Sequence, residues 1–435
     1  MSAATPVTAD RLHRDRALLL FTAARVTAVA GSAVTGVAMP LLVLRLSGSA
    51  FLTALVAAAQ VAPYLLFGLI AGAVADRVSR RRLMVAAQLT SATALATVPI
   101  AHAADLLTPA HALAVALVLA TSFVWFDAAA FGALPAIVGR ERIVAANSLV
   151  WTSSTLVSVA APALGGLLVA WLGAAQALSV DAVSYVVAAA LVVTIAAPMG
   201  PHVAQATRGE RPVRATLRAD IAEGLRFVLR QPTVRDLTLV GIGNSVTGGA
   251  VTALLVVLAV GELDVAAEGR SYGVMLAMVA AGGFLAASAL PWMSRRVPTG
   301  WLTLGGLALG VPTVAGLAAV PPYPAVLALL LGWAFSNTLV ILNGIAARQR
   351  VTPDHLQARV NTTARMIAWG GTPFGAVLGG LTADLVDVPT ALAGAAVLLL
   401  VSLVLAAGTG LRRRDFGTGT DLQQAAIGGS GPGLR

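Results

Sequence analysis

A chain of 435 residues that is 58% hydrophobic and only 11% charged is too apolar to be divided among soluble globular domains, which run nearer one-quarter charged. Its net charge of +10 raises nucleic-acid binding as a possibility, which the placement of the charge excludes below. Cysteine is absent and the five histidines (His13, His102, His111, His202, His355) are scattered, so no disulfide framework and no metal-ligand spacing is available.

A span needs about 20 predominantly apolar residues to cross roughly 30 Å of hydrocarbon. That ruler predicts spans over 18–44, 50–74, 83–104, 111–137, 144–172, 176–198, 237–260, 271–292, 301–320, 324–346, 362–386 and 389–410. The first is read as a retained span, because no small-residue cleavage site follows a short apolar core. The longest polar interruption, 199–236, divides the spans six and six. The expected organisation is therefore a cytoplasmic N-terminus (1–17), a six-helix bundle (18–198), a cytoplasmic linker (199–236), a second six-helix bundle (237–410) and a disordered cytoplasmic tail (411–435) enriched in Gly, Ser and Gln. The fold class is an all-α membrane protein of twelve transmembrane helices in two pseudo-symmetric bundles.

The basic residues follow this topology. With the N-terminus inside, arginines gather in the cytoplasmic segments: Arg11 to Arg16, Arg77 to Arg82, Arg140 and Arg142, Arg208 to Arg235, Arg295 and Arg296, Arg348 to Arg359, and Arg412 onward. Arg45 and Arg270 fall outside, and Arg25 and Arg365 lie within spans. This is the positive-inside pattern; it puts both termini in the cytoplasm and leaves no charge for nucleic acid to explain. All 29 basic residues are arginine, which reads as codon bias from a GC-rich genome. In the linker, Leu217, Ile221, Leu225, Phe227 and Leu229 recur among charged residues, as in a basic helix lying along the inner membrane surface or in a solvated linker helix.

The halves repeat. Asn147 precedes Gly165-Gly166 by the same spacing with which Asn361 precedes Gly379-Gly380, each in the fifth span of its half and after a loop with proline and arginines. Small residues four apart, as at Gly68 and Gly72, Ala161 and Gly165, Gly282 and Ala286, and Gly375 and Gly379, allow close helix approach. They fall on the second and fifth spans of each half and suggest a tight seam between halves.

Polar residues mark other helices. Ser32 and Thr35 share a side of the first span with Arg25. Asn244 and Thr247 do so in the seventh, and Trp333, Asn337 and Asn343 in the tenth. In the fourth, Asp127 has Phe123 and Phe131 at i−4 and i+4. These stripes predict either a polar cavity lining or hydrogen bonding between helices. Arg25 and Asp127 both lie about 10–12 Å deep at 1.5 Å per residue and are placed to pair. An isolated mid-span Asp costs on the order of 2.5–3.5 kcal/mol. Asp127, held between two rings and an arginine, is thus a candidate proton-binding site or half of a permanent salt bridge. Asp181 and Arg365 are expected to bind neighbouring helices or to reach the interface.

The stretch from Gly72 through Asp76, Arg77, Arg80 and Arg81 resembles the loop signature of the major facilitator superfamily, Gly-x-x-x-Asp-Arg-x-Gly-Arg-Arg/Lys, with Ser79 in place of the usual second glycine. Pro162, Gly165 and Gly166 resemble the latter half of that superfamily's fifth-helix antiporter motif. Further segments resemble the drug-efflux branch that includes enterobactin exporters and macrolide efflux proteins: Arg25 with Gly31 and Pro40, Leu134-Pro135 through Asn147, Glu223 through Phe227, and Pro353-Asp354 through Asn361. Where that branch often has Asn-Pro-Ala-Arg, this chain has Asp127-Ala-Ala-Ala130.

The resemblance implies a multi-pass transporter of the bacterial inner membrane, working as a monomer without cofactor and drawing on the proton gradient. It implies export of an amphipathic small molecule by alternating access. It also implies that Asp76 meets the positive end of the eleventh helix near Asn361 and Thr362 in one conformation, as a gate; a simple cationic anchor is the other reading of the loop. Uptake of a solute, or lipid flipping, on the same fold is the first rival. An intramembrane enzyme would need a nucleophile and base or a metal set at one depth, and the spans hold no such set. No phosphate-cradling Gly-x-x-x-x-Gly-Lys-Ser/Thr occurs.

Overall fold

The computed structural model describes residues 15–75, 77–139, 142–197, 199, 225–263, 270–352, 360, 364, 366–368 and 370–413. Within them the chain is all helix. The long helices are α1 (Arg16–Ser47), α2 (Ala50–Ala75), α3 (Arg80–Ala103), α4 (Pro109–Val138), α5 (Ile143–Leu172), α6 (Ala174–Thr194), α7 (Pro232–Val257), α8 (Arg270–Met293), α9 (Thr299–Ala318), α10 (Tyr323–Val351), α11 (Gly371–Leu385) and α12 (Val388–Gly408). Eleven of the described helices are long and apolar enough to cross a membrane; α11, with 15 described residues, falls short of that length. The protein is therefore an all-α, multi-span membrane protein.

Local chemistry sets the helix ends. Asp15 accepts from the Leu18 amide at the start of α1, and its other oxygen pairs with Arg142 Nη1 at 3.3 Å, tying α1 to the entry of α5. Thr108 and Asp387 cap α4 and α12, each with a proline in the first turn, where its missing N–H is not needed. At the end of α1, Gly48 takes φ +65° and returns its N–H to Leu44 O, a left-handed position that glycine accepts without strain. Prolines 40, 63, 99, 135, 162, 291 and 312 sit inside helices, as membrane helices tolerate better than soluble ones.

Large apolar side chains stand exposed along many helices, among them Ile100, Phe131, Trp171, Phe374 and Leu405. A soluble protein does not present such a surface; lipid covers it here. Trp292 is exposed near the end of α8 with the Arg296 guanidinium 4.2 Å from its ring centroid, an aromatic–basic pair of the kind found at membrane interfaces.

The chain forms two compact units. One is Met1–Arg208 with Ala253–Ala277; the other is Gly209–Thr252 with Met278–Arg435. In the first, α1 packs on α6 and α5, α3 on α6 and α4, and α2 on α4. One core of this unit gathers Leu18, Phe21, Met84, Phe126, Leu134 and Ile195. In the second, α9 packs on α10 and α12, and α11 on α12. Of the amphipathic helix expected across 217–230, residues 225–230 are described and are helical. There Val228 joins Val234, Val351, Val360 and Ala364 in a small core, while Leu229 is exposed.

Candidate functional site

In the first unit the sequence places two acids within spans, and the structure gives them different surroundings. Asp127 on α4 faces Arg25 on α1: Nη1 and Nη2 lie 3.3 and 3.2 Å from Oδ1. The pair is half-buried, with 21% and 34% of the two side chains exposed. The expected enclosure of Asp127 by aromatic rings does not occur. Phe123 and Phe131 are 53% and 84% exposed, because the α4 face they share with Asp127 turns away from the packed core of Phe126, Ala129, Ala130 and Ala133.

Asp181 on α6 is fully buried. Thr35 Oγ1 donates to its Oδ2 and Ser184 Oγ to its Oδ1 at 2.9 Å. One turn away, Tyr185 OH and Ser32 Oγ lie 3.1 Å apart. The carboxylate enters this interface because residue 31 is glycine; a Cβ there would collide with Ser184 Oγ and Asp181 Oδ1. Ser32, exposed, and Thr35, half-buried, thus both bond to α6, so this part of the predicted cavity lining is an α1–α6 contact. Sequence reading foresaw that Asp181 would bind a neighbouring helix but not that Gly31 makes the space.

In the second unit the predicted lining also divides. Asn244 Nδ2 donates to Asn337 Oδ1 at 2.7 Å. Asn343 is buried and donates to Thr299 O at 2.8 Å and Thr303 Oγ1 at 2.9 Å, joining α10 to α9. Thr247 is buried against Ala395 O, and Trp333 is 3% exposed. Asn343, Thr247 and Trp333 are packed against neighbouring helices in this structure, in keeping with the second of the two readings of these stripes, hydrogen bonding between helices. Beside Asn244 lies a cavity of about 30 Å³ bordered by Ser245, Thr303, Val340 and Arg348, room for water rather than for a bulky solute. Arg348, counted above among the cytoplasmic arginines, is buried near the end of α10. Its place in the run Arg348-Gln-Arg350 masked that difference.

The signature loop is built into the first unit. Arg81 Nη2 donates to the carbonyls of Ile195 and, at 2.8 Å, Ala197, which follow the end of α6. The Arg80 amide donates to Met199 O. Arg80 is buried with its side chain over α4, where a Cβ at Gly132 would lie 2.6 Å from its Nε; Gly132 had no sequence signal. Arg77 is exposed. Ser79 has φ −62°, ordinary extended backbone, and its hydroxyl accepts from the Arg82 amide at 3.5 Å as the N-cap of α3. A serine therefore serves where the pattern has glycine. Asp76, Asn361 and Thr362 lie outside the described residues, and with them the expected gate; Arg365 does too.

The small residues serve individual contacts. Cβ atoms at Gly282 and Gly375 would collide with Leu331 O on α10 and Val246 O on α7, and one at Gly165 would lie 3.1 Å from Val34 Cα on α1. These three contacts each lie within one half of the chain. A Cβ at Gly273 would lie 2.8 Å from both Gly166 Cα and Pro162 O, bringing the start of α8 onto the fifth-helix motif. Gly379 is buried in α11. Gly68 meets only its own Tyr64, and Gly72 nothing within 4 Å, so neither makes the close approach expected of α2.

Apolar helices that carry a few buried charges and internal hydrogen-bond clusters define a polytopic membrane protein. The profile of a family described as "Transmembrane secretion effector" matches residues 12–421, and the chain belongs to that family of the major facilitator superfamily. It is 32% identical over 410 residues to the multidrug efflux pump Tap of Mycolicibacterium fortuitum, covering 92% of this chain and 97% of that protein. It is 27% identical over 395 residues to the enterobactin exporter EntS of Shigella boydii, covering 88% and 89%. A bacterial homologue of the human lysosomal transporter Spinster, inward-facing and occupied, superposes with a TM-score of 0.72 at 13% identity, covering 90% of this chain and 96% of that one. An inward-facing bacterial homologue of ferroportin superposes at 0.69 and 15% identity, covering 93% and 100%. Family and fold are those of transporters and not of enzymes, and the address is that of a multi-pass protein of a bacterial inner membrane.

Proposed function

We propose that this protein exports a bulky amphipathic molecule, neutral or weakly charged, in exchange for protons. It works as a monomer by alternating access between six-helix bundles at 18–198 and 237–410, with both termini in the cytoplasm. Full-length similarity to a multidrug pump and a siderophore exporter supports the direction and the substrate class. The observation that carries the coupling is the Arg25–Asp127 pair. A half-buried ion pair is strong enough to hold α1 against α4 and weak enough to part when the carboxylate takes up a proton. Asp76 and its arginines are proposed as the cytoplasmic gate, stabilising one state through charge at a helix terminus.

The test is transport by inverted membrane vesicles. An imposed proton gradient drives accumulation of a fluorescent drug or siderophore analogue in wild type, and Asp127→Asn loses that dependence. Full proton-coupled accumulation by Asp127→Asn would remove Asp127 from the mechanism. Accumulation only in right-side-out vesicles would make the protein an importer.

A further inference from the structure

We propose that Asp181 is a second proton-binding site, loaded through the hydroxyl cluster between α1 and α6 and independent of the Arg25–Asp127 pair. The inference rests on the transporter reading but not on the role of Asp127.

The argument begins with compensation of charge. A carboxylate inside a membrane protein is ordinarily met by a cation. Asp181 is fully buried and is met by hydroxyls: Thr35 on one oxygen and Ser184 on the other. The ionisable groups of the surrounding elements are committed elsewhere or exposed. On α1, Arg25 bonds Asp127, and Arg16 and Arg45 are exposed. On α3, Arg80 lies over Gly132, Arg81 bonds the carbonyls after α6, and Arg82 and His102 are exposed. On α5, Ile143–Leu172 contains no ionisable side chain. On α6 itself the one other titratable group is Tyr185, which faces Ser32. Among the described residues, then, no cation compensates this acid.

Hydroxyls suit a proton site because each can donate or accept. Thr35 and Ser184 donate to the ionised carboxylate and can accept from the protonated one, so both forms are accommodated without repacking. Ser32 is exposed, one turn from Thr35 on α1 and bonded to Tyr185, one turn from Asp181 on α6. Ser32 and Tyr185 thus extend the hydroxyl cluster from the buried acid to an exposed position on α1. Protonation converts the carboxylate to a neutral acid, and deprotonation returns the proton to the hydroxyl cluster. Gly31 keeps the α1–α6 contact tight enough to dry the acid. Any movement of α1 against α6 wets it, and proton affinity is thereby linked to conformation.

Purified protein in proteoliposomes tests this through two independent readouts. In pH-difference infrared spectra, wild type shows a protonated-carboxyl band that Asp181→Asn lacks and Thr35→Val displaces. In transport, Asp181→Asn loses at least tenfold of the rate gained from a proton gradient but retains substrate counterflow, which needs no net proton movement. No band difference between wild type and Asp181→Asn overturns the proposal, as does a wild-type pH profile in that variant or a sodium gradient replacing the proton gradient. If Asp181→Asn does not fold, Thr35→Val and Ser184→Ala carry the same readouts, and an unchanged band and pH profile in both overturns it. A wild type whose transport ignores the proton gradient defeats the antiport reading instead, and the infrared band still decides whether Asp181 binds a proton.

Discussion

Arg25 engages Asp127 through a single oxygen, both terminal nitrogens converging on Oδ1 at 3.3 and 3.2 Å. A parallel two-oxygen fork would be stronger and more rigid. This arrangement, with part of each side chain exposed, suits a contact that breaks in one state. In a double-mutant cycle of Arg25→Met and Asp127→Asn, thermal unfolding in detergent should return a coupling of about 1 kcal/mol. A coupling above about 3 kcal/mol would indicate a permanent buried bridge.

The pairing of Arg25 with Asp127 was legible in the sequence because two opposite charges in apolar spans at equal depth have few alternatives. The helices were legible for a related reason: length and apolarity alone fix a span, and each predicted span overlaps an observed helix. Which way a polar stripe points was not legible. Ser32, Thr35, Asn244 and Asn343 fit a cavity wall and a helix contact equally well by periodicity. Only the packing of α1 on α6, of α9 on α10 and of Asn244 against Asn337, which periodicity along one helix does not encode, separates the two. Gly31 and Gly132 were obscured for a similar reason, since a glycine's value lies in what approaches it. Here those neighbours are Asp181 and Arg80.

Ser79 offers a test of the signature loop. Because its backbone is extended and its hydroxyl caps α3 through a long bond, Ser79→Gly should be nearly neutral, restoring the usual motif residue at a cost of a few tenths of a kcal/mol. Ser79→Ala should cost about 0.5–1 kcal/mol through loss of the cap. Thermal unfolding of the three proteins checks the order; a Ser79→Gly protein clearly more stable than wild type would mean that serine strains the turn.

Glycines of similar sequence standing should behave differently. At Gly375 an added Cβ meets the backbone carbonyl of Val246, which cannot rotate away, whereas at Gly72 it meets nothing within 4 Å. Gly375→Ala should destabilise by about 3 kcal/mol through overpacking, and Gly72→Ala should be neutral or stabilising by about 0.5–1 kcal/mol from helix propensity. Their relative unfolding temperatures decide the matter.

Asp387 caps α12 outside the span, and its bonds from Thr390 hold its carboxyl below the usual carboxylate range. A folded-state value below the unfolded one contributes stability that is present above the unfolded value and lost as pH falls through the folded one. Asp387→Asn should therefore differ most from wild type near neutrality and converge with it below about pH 4. Unfolding temperatures measured across that range check the sign; a difference that grows on acidification would contradict the cap.

The two asparagines of α10 should part company in function. Asn343 is buried and spends its amide on Thr299 and Thr303, so Asn343→Ala removes both bonds, leaves the Thr303 hydroxyl only its own donation to Thr299 O, and should cost about 1–3 kcal/mol of stability. In protein that remains folded, substrate KM should stay the same. Asn337 is half-buried and accepts from Asn244, leaving its own amide nitrogen able to reach a polar group of a solute. Asn337→Ala should raise KM several-fold for substrates that carry such a group and leave purely apolar ones unaffected. Since a stability loss alone lowers the amount of active protein without changing KM, the ratio of KM values between polar and apolar substrates separates a lining residue from a packing one. Equal KM changes for both substrate types in Asn337→Ala would return the whole α10 stripe to packing.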